Sequence, residues 1–147
     1  MPDYINTIEH KIVDQLRADF PSCHVFAQYP DTEQVQYPAI MGEKVSFGAT
    51  DYTGEIYGIV YILHVLIDRK SSITVSGTPY KQRQLMNYLL LNIANTMTDL
   101  GTTSKPWPVT IDVVEQELQN WADVGYDPAL ELWGASVVFM VAFQNYR

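Results

Sequence analysis

Residues 55–67, Glu-Ile-Tyr-Gly-Ile-Val-Tyr-Ile-Leu-His-Val-Leu-Ile, constrain this chain more than any other segment. In an extended conformation Tyr57, Ile59, Tyr61, Leu63, Val65 and Ile67 point one way, and Ile56, Val60, Ile62, His64 and Leu66 point the other. Both sides are apolar, so a strand here is expected to be covered on both faces. Its 13 residues, at ~3.3 Å each, reach about across a domain, which makes it the expected central strand. A charge at Ile62 would then be buried without a partner. The run holds Gly58 and His64 and falls far short of the ~20 residues that a membrane helix needs.

The remaining elements arrange themselves around this strand. Ile5, Ile8, Ile12, Leu16 and Phe20 recur at spacings of three and four, which predicts an amphipathic helix over 3–20, capped by Asp3 and stopped by Pro21. A short strand is expected over 22–29, a turn at Pro30-Asp31-Thr32-Glu33, a strand from Ala39 to Gly48 and a polar loop over 48–54. Charge returns at Asp68-Arg69-Lys70, followed by a small-residue loop over 71–77. Thr78-Pro79 reads as the start of a second helix, with Met86, Leu89, Leu90, Ile93, Met97 and Leu100 as its apolar stripe and Gly101 as its end. Val109, Ile111 and Val113 alternate as a strand, and the apolar phase then slips to Val114 and Leu118, as at a β-bulge. Residues 120–127 read as a loop and 135–144 as the last strand. The order α-β-β-β-α-β-β predicts an α+β fold, a mostly antiparallel sheet of about five strands with helices packed on one face.

Composition narrows the class. The 147 residues suit a single domain, 1–147. With 47% hydrophobic and 18% charged residues the chain is not disordered. Nine Lys and Arg against 17 Asp and Glu give a net charge of −8, the opposite of the basic footprint a sequence-independent nucleic-acid binder needs. Ten Tyr and three Trp among so few charges point to a sticky surface. Cys23 is the lone cysteine, so neither an internal disulfide nor a cysteine zinc site can form. The N-terminus lacks the pattern of a signal peptide, and a soluble protein is expected.

A search for chemistry returns little. His10, His24 and His64 have no metal-binding spacing. Cys23 and His24 are neighbours whose side chains diverge in a strand, as are Glu43 and Lys44, so neither pair makes a nucleophile or nuclease site. Glu115 and Glu117 share a strand face, which reads as solvated. Phosphate-binding glycine loops and nucleophile elbows are missing from the sequence. No catalytic residue, cofactor or metal is therefore expected. The loop aromatics Tyr52, Tyr80, Trp107, Trp121, Tyr126 and Trp133 read as lids on the core or as anchors for a partner.

The chain resembles the tail terminator proteins of long-tailed bacteriophages, and more loosely the head–tail joining proteins. The resemblance lies in the helix ending at Phe20-Pro21, the Tyr37-Pro38-Ala39-Ile40 lead into a strand, and the long apolar strand closing on Asp68-Arg69. It continues in the helix after Pro79 and the ending Trp133-Gly134-Ala135-Ser136-Val137-Val138-Phe139. It implies a virion protein assembled in the host cytoplasm: a homohexameric ring at the head-proximal end of the tail, ending tube polymerisation and meeting the connector. Implied partners are further copies of the chain, the tail tube protein, the sheath protein in a contractile tail, and the neck proteins. DNA would pass through the lumen without specific binding, and no membrane is involved. The alternatives are a neck adaptor or a small metal-dependent nuclease. The expected subunit contact comprises the long strand with Asp68, Arg69, Lys70, Tyr52, Trp107, Trp121, Tyr126 and Trp133.

Overall fold

The computed structural model describes residues 3–28, 35–49, 54–121 and 124–146, apart from the side chains of Lys44, Val45, Asn120 and Trp121. Along the chain lie α1 (Tyr4–Asp19), β1 (His24–Phe26), β2 (Ala39–Ala49), β3 (Ile56–Asp68), β4 (Ser72–Val75), β5 (Thr78–Lys81), α2 (Gln82–Asp99), β6 (Val113–Trp121), β7 (Gly125–Asp127) and β8 (Leu132–Gln144). The fold is α+β. Its main sheet has six strands in the order β1-β2-β3-β8-β6, with β7 also paired to β8. All these pairings are antiparallel except β1 with β2.

β3 is central, as its two-sided apolarity predicts. It pairs with β8 without interruption from Ile56↔Gln144 to Asp68↔Leu132, and with β2 on its other edge. One face of it is sealed. Ile59, Tyr61, Leu63, Val65 and Ile67 are each at most 1% exposed and join Val137, Phe139 and Val141 of β8 in the core. The helices supply the opposing layer through Ile8, Ile12 and Leu16 of α1 and Leu85, Met86, Leu89, Ile93 and Met97 of α2. The expectation of cover on both faces fails within one chain. Both helices pack on the same side, and Ile56, Val60, Ile62, His64 and Leu66 on the other side stay half-buried.

α1 begins where expected, because Asp3 Oδ1 accepts the Asn6 amide at 3.1 Å. The second helix begins later than Thr78-Pro79 predicts. Ser76 and Gly77 have φ of 50° and 83°, the signature of a two-residue hairpin turn. That turn pairs β4 with β5, so Thr78 and Pro79 are strand residues and the expected loop over 71–77 is half strand. The hairpin caps the core through Ile73 and Tyr80, whose ring meets Tyr88 edge-on at 5.6 Å.

Gly101 ends α2 as expected, with φ 90°, and a Cβ there would lie 3.2 Å from the Trp107 ring. Val109 and Ile111 precede the strand instead of starting it, since Val109 is fully exposed and β6 begins at Val113. The apolar slip after Val113 is a break in register between Val113 and Glu115, with a second between Leu118 and Asn120. The expected loop over 120–127 carries the end of β6 and all of β7. The expected 30–33 turn and most of the 48–54 loop lie outside the described residues.

Candidate assembly surface

The helix-free face of the main sheet is built from alternate residues of its central strands. β3 contributes Ile56, Val60, Ile62, His64 and Leu66, and β8 contributes Ser136, Val138 and Met140 in register. All of these are half-buried. Toward β2 lies Glu43, opposite Ile62; toward β6 lie Glu115 and Glu117, exposed beside Ala142 and Met140. The face thus has an apolar middle and an acidic β6 margin. Glu115 and Glu117 share a strand face as predicted, and among the described residues no three His, Cys, Asp or Glu side chains gather as a metal site.

Polar groups cross this apolar middle in one line. His64 Nε2 lies 2.8 Å from Glu43 Oε2, and His64 Nδ1 lies 2.9 Å from Ser136 Oγ. An ionised carboxylate only accepts, so Nε2 carries the proton toward Glu43. In the neutral ring Nδ1 then accepts the Ser136 hydroxyl; in the charged ring it donates to that oxygen. These residue types make up a nucleophilic triad in hydrolases. Such a triad works with amide donors converging on the point of attack. Ser136 stands mid-strand in β8, which is laddered to β3 along its whole length. The arrangement orders a polar line across a sheet surface and satisfies three groups at partial burial.

At the Asp68 end of the sheet several expected contact residues come together. Trp133 pairs in register with both Ile67 and Tyr126, and its ring sits 5.2 Å from the Tyr126 ring. The Arg83 guanidinium of α2 lies 5.6 Å from the Trp133 centroid. Arg69 and Lys70 are exposed at the adjoining turn. The Asp68 carboxylate closes that turn by accepting the Ser71 amide at 2.8 Å and the Ser71 hydroxyl at 2.7 Å. Beside this cluster Leu66, Tyr126, Leu130 and Leu132 line an open groove of about 380 Å³. Leu130 is 66% exposed, and it was not among the residues the sequence pointed to.

The other expected residues are elsewhere. Trp107 is half-buried and donates through Nε1 to Gln116 Oε1 at 2.7 Å, while Gln116 Nε2 donates to the Leu100 carbonyl at 2.6 Å. It is a latch between the end of α2 and β6. Trp121, of which only the backbone is described, closes β6, and Tyr52 lies outside the described residues. Cys23 and His24 border a cleft of about 520 Å³ with Arg17. Burial pushes the Cys23 thiol up to about 11, so it is not a thiolate nucleophile near neutrality.

A surface that the apolar periodicity of α2 does not reveal lies on the outside of that helix. Among its 18 residues only Arg83 and Asp99 are charged, both at the ends. Gln84, Asn87, Leu91, Asn95 and Thr98, at spacings of three and four, form one exposed stripe without charge, and Leu91 is 62% exposed. The signal was present in the sequence as a missing polar-charged face.

No protein-family model matches this sequence, and no curated protein matches it. No helix among the described residues is long and apolar enough to cross a membrane.

Proposed function

We propose that this chain is a structural assembly protein of a long-tailed bacteriophage, a tail terminator. In this reading it forms a ring on the head-proximal end of the tail, ends tube polymerisation and offers a surface to the neck. The observation that carries the self-assembly part is the helix-free sheet face, whose apolar middle has no covering layer within the described residues. Large contiguous apolar patches on a folded chain mark interaction surfaces. The end cluster of Trp133, Tyr126 and Leu130 supports it, since aromatic anchors dominate interface energetics. The tail location and the sixfold number rest on the resemblance of element order described above. A net charge of −8 suits a passage through which DNA slides without adhering.

The test has two parts. The native mass of the purified protein should be an integral multiple of the 16.7 kDa chain, with six copies expected. Deleting the gene from its genome should give tails of uncontrolled length. Normal tails beside unjoined heads would assign the chain to the neck instead, and normal infectious particles would overturn both.

A further inference from the structure

We infer that the turn at 108–111 of one copy of this chain seats in the groove beside Trp133 of the next copy, so that the acidic end of the β3–β8 pair meets the basic end of its neighbour. The inference rests on the self-assembly reading above and names two surfaces that meet. Its starting point is a difference in charge between the two ends of the long strand pair. Beyond Asp68↔Leu132, Arg69 and Lys70 stand in the adjoining turn, Lys81 pairs in register with Ser72, and Arg83 lies over the Trp133 ring. All four are exposed, and they are four of the nine Lys and Arg residues of the chain. Asp68, Asp127 and Glu131 share that end. Two of these three carboxylates are spent on closing turns, Asp68 with Ser71 and Asp127 with the Ala129 and Leu130 amides at 2.9 and 3.3 Å.

The other end, where Ile56 pairs with Gln144, is acidic. Glu115 lies in register with Ala142, the Asp112 carbonyl accepts the Gln144 amide at 2.8 Å, and the Tyr4 ring 5.7 Å from Phe143 brings Asp3 there at the start of α1. The described Lys and Arg residues outside the basic end are Lys11, Arg17 and Lys105, and each is held by its own neighbourhood, donating to Gln15, to the Val25 carbonyl and to Asp19. In a chain of net charge −8, the basic end is the place where the acidic end of another copy is attracted. The 13 residues of β3 keep the two ends ~40 Å apart at ~3.3 Å per residue, so they meet only between copies.

Apolar side chains complement the charges. The Ile111 amide donates to the Pro108 carbonyl at 3.0 Å, which folds 108–111 into a tight turn. The tip of such a turn ordinarily carries Gly, Asn, Asp or Ser. This one carries Val109, fully exposed, and three residues on stands Asp112, whose carboxylate accepts the hydroxyl of the exposed Tyr146 at 2.7 Å. At the basic end Leu66, Tyr126, Leu130 and Leu132 line the open groove of about 380 Å³. An apolar knob beside carboxylates on one copy therefore matches an apolar hole beside cations on the next. Apolar contact at the centre with charge at the rim is the anatomy of a protein interface. Because knob and hole are different surfaces at opposite ends, the contact is head-to-tail, and it closes into a ring when the rotation between copies completes a circle.

Thiol cross-linking tests this. In a Cys23→Ser background, Val109→Cys and Leu130→Cys are introduced singly and together, and the protein is treated with a short bis-maleimide at the concentration used for native mass. Both positions are exposed in the single chain, so the variants should fold as the natural chain does. The double variant should form a ladder of linked species, an equal mixture of the two single variants should stop at a linked dimer, and neither single variant alone should link. A dimer from Val109→Cys alone would mean turn against turn, and one from Leu130→Cys alone would mean groove against groove; either overturns the inference. An oligomer by mass with no cross-link in any variant overturns this pairing of surfaces and leaves the self-assembly reading standing. A monomer by mass with no cross-link overturns both. As a second readout, Val109→Ser should weaken association at least tenfold while its melting curve stays unchanged; unaltered association would overturn the inference.

Discussion

His64 on β3 and Glu43 on β2 meet at 2.8 Å across the exposed side of the sheet, and the same imidazole reaches Ser136 on β8 at 2.9 Å. Three adjacent strands are thereby joined by side chains on the face that has no helix. The carboxylate dictates the tautomer. Nitrogen-detected NMR of the neutral ring should find the proton on Nε2, and Glu43→Gln, whose carbonyl still accepts, should keep it there. A neutral ring carrying its proton on Nδ1 would contradict the geometry.

The two faces of β3 should respond oppositely to charge. Leu63 is 1% exposed on the helix side, so Leu63→Asp buries an unpaired carboxylate and should cost at least about 4 kcal/mol, enough to abolish folding of a marginally stable domain. Ile62 is half-buried on the other side, so Ile62→Asp should fold at a cost of about 1 kcal/mol and lose self-association. Denaturant unfolding and native mass read the two effects separately. Equal damage from both would mean that a layer of the same chain covers the Ile62 face.

Asp19 joins the end of α1 to α2 and to the connector that follows it. Its Oδ2 accepts from Thr96 Oγ1 and Lys105 Nζ, each at 2.7 Å, and its Oδ1 accepts from Gln15 at 3.1 Å. Burial pushes the carboxyl up. The hydrogen bonds from Lys105, Thr96 and Gln15 and the Lys105 charge outweigh it, so the group lies below its ordinary value of 3.8. A depressed carboxyl stabilises the fold fully above its unfolded value and loses that contribution as pH falls toward its folded value. Melting temperature measured from pH 6 down to pH 2 should therefore fall less steeply for Asp19→Asn than for the natural chain, with the difference confined to the acid end.

Gly42 is required by a neighbour. A Cβ at this buried position would stand 2.6 Å from the Tyr61 ring and 2.8 Å from its hydroxyl. Tyr61 cannot step aside readily, being 1% exposed and donating to the Ala27 carbonyl at 3.2 Å. Gly42→Ala should cost about 1–3 kcal/mol. In the double variant with Tyr61→Leu the added cost of the alanine should shrink, the remainder coming from the Ala27 carbonyl oxygen 3.1 Å from the same Cβ, which a mutant cycle in urea would measure.

The Trp107–Gln116 latch should behave as a structural element. Gln116→Ala leaves the Trp107 indole N–H and the Leu100 carbonyl without their partner, at a cost of about 1–3 kcal/mol. Chemical denaturation would detect it, and native mass should not change. A Gln116→Ala protein of full stability that fails to assemble would instead make Trp107 a contact residue.

Local patterns settled a good part of this architecture before any tertiary contact was known. The alternation in 56–67 made β3 central, the spacing from Ile5 to Phe20 made α1, and the slipped phase after Val113 marked a real break in register. These signals are readable because side-chain direction repeats with the backbone period. The reading failed at Thr78-Pro79, which has the chemistry of a helix start and became a strand. The deciding event lay two residues earlier, where Ser76 and Gly77 both take positive φ and fold β5 back on β4.

Tertiary structure alone decided which side of the sheet stays open and which residues meet there. Glu43, His64 and Ser136 are 21 and 72 residues apart from His64 outward, and only the registers of β2 and β8 on β3 align them. The same holds for Trp133, Tyr126 and Arg83, gathered at one end by strand pairing and by the approach of α2. Periodicity is a property of a few consecutive residues and specifies that a strand has two apolar faces. Which face the helices cover depends on the path of the chain between elements, and that is set by long-range packing that no short window of sequence contains.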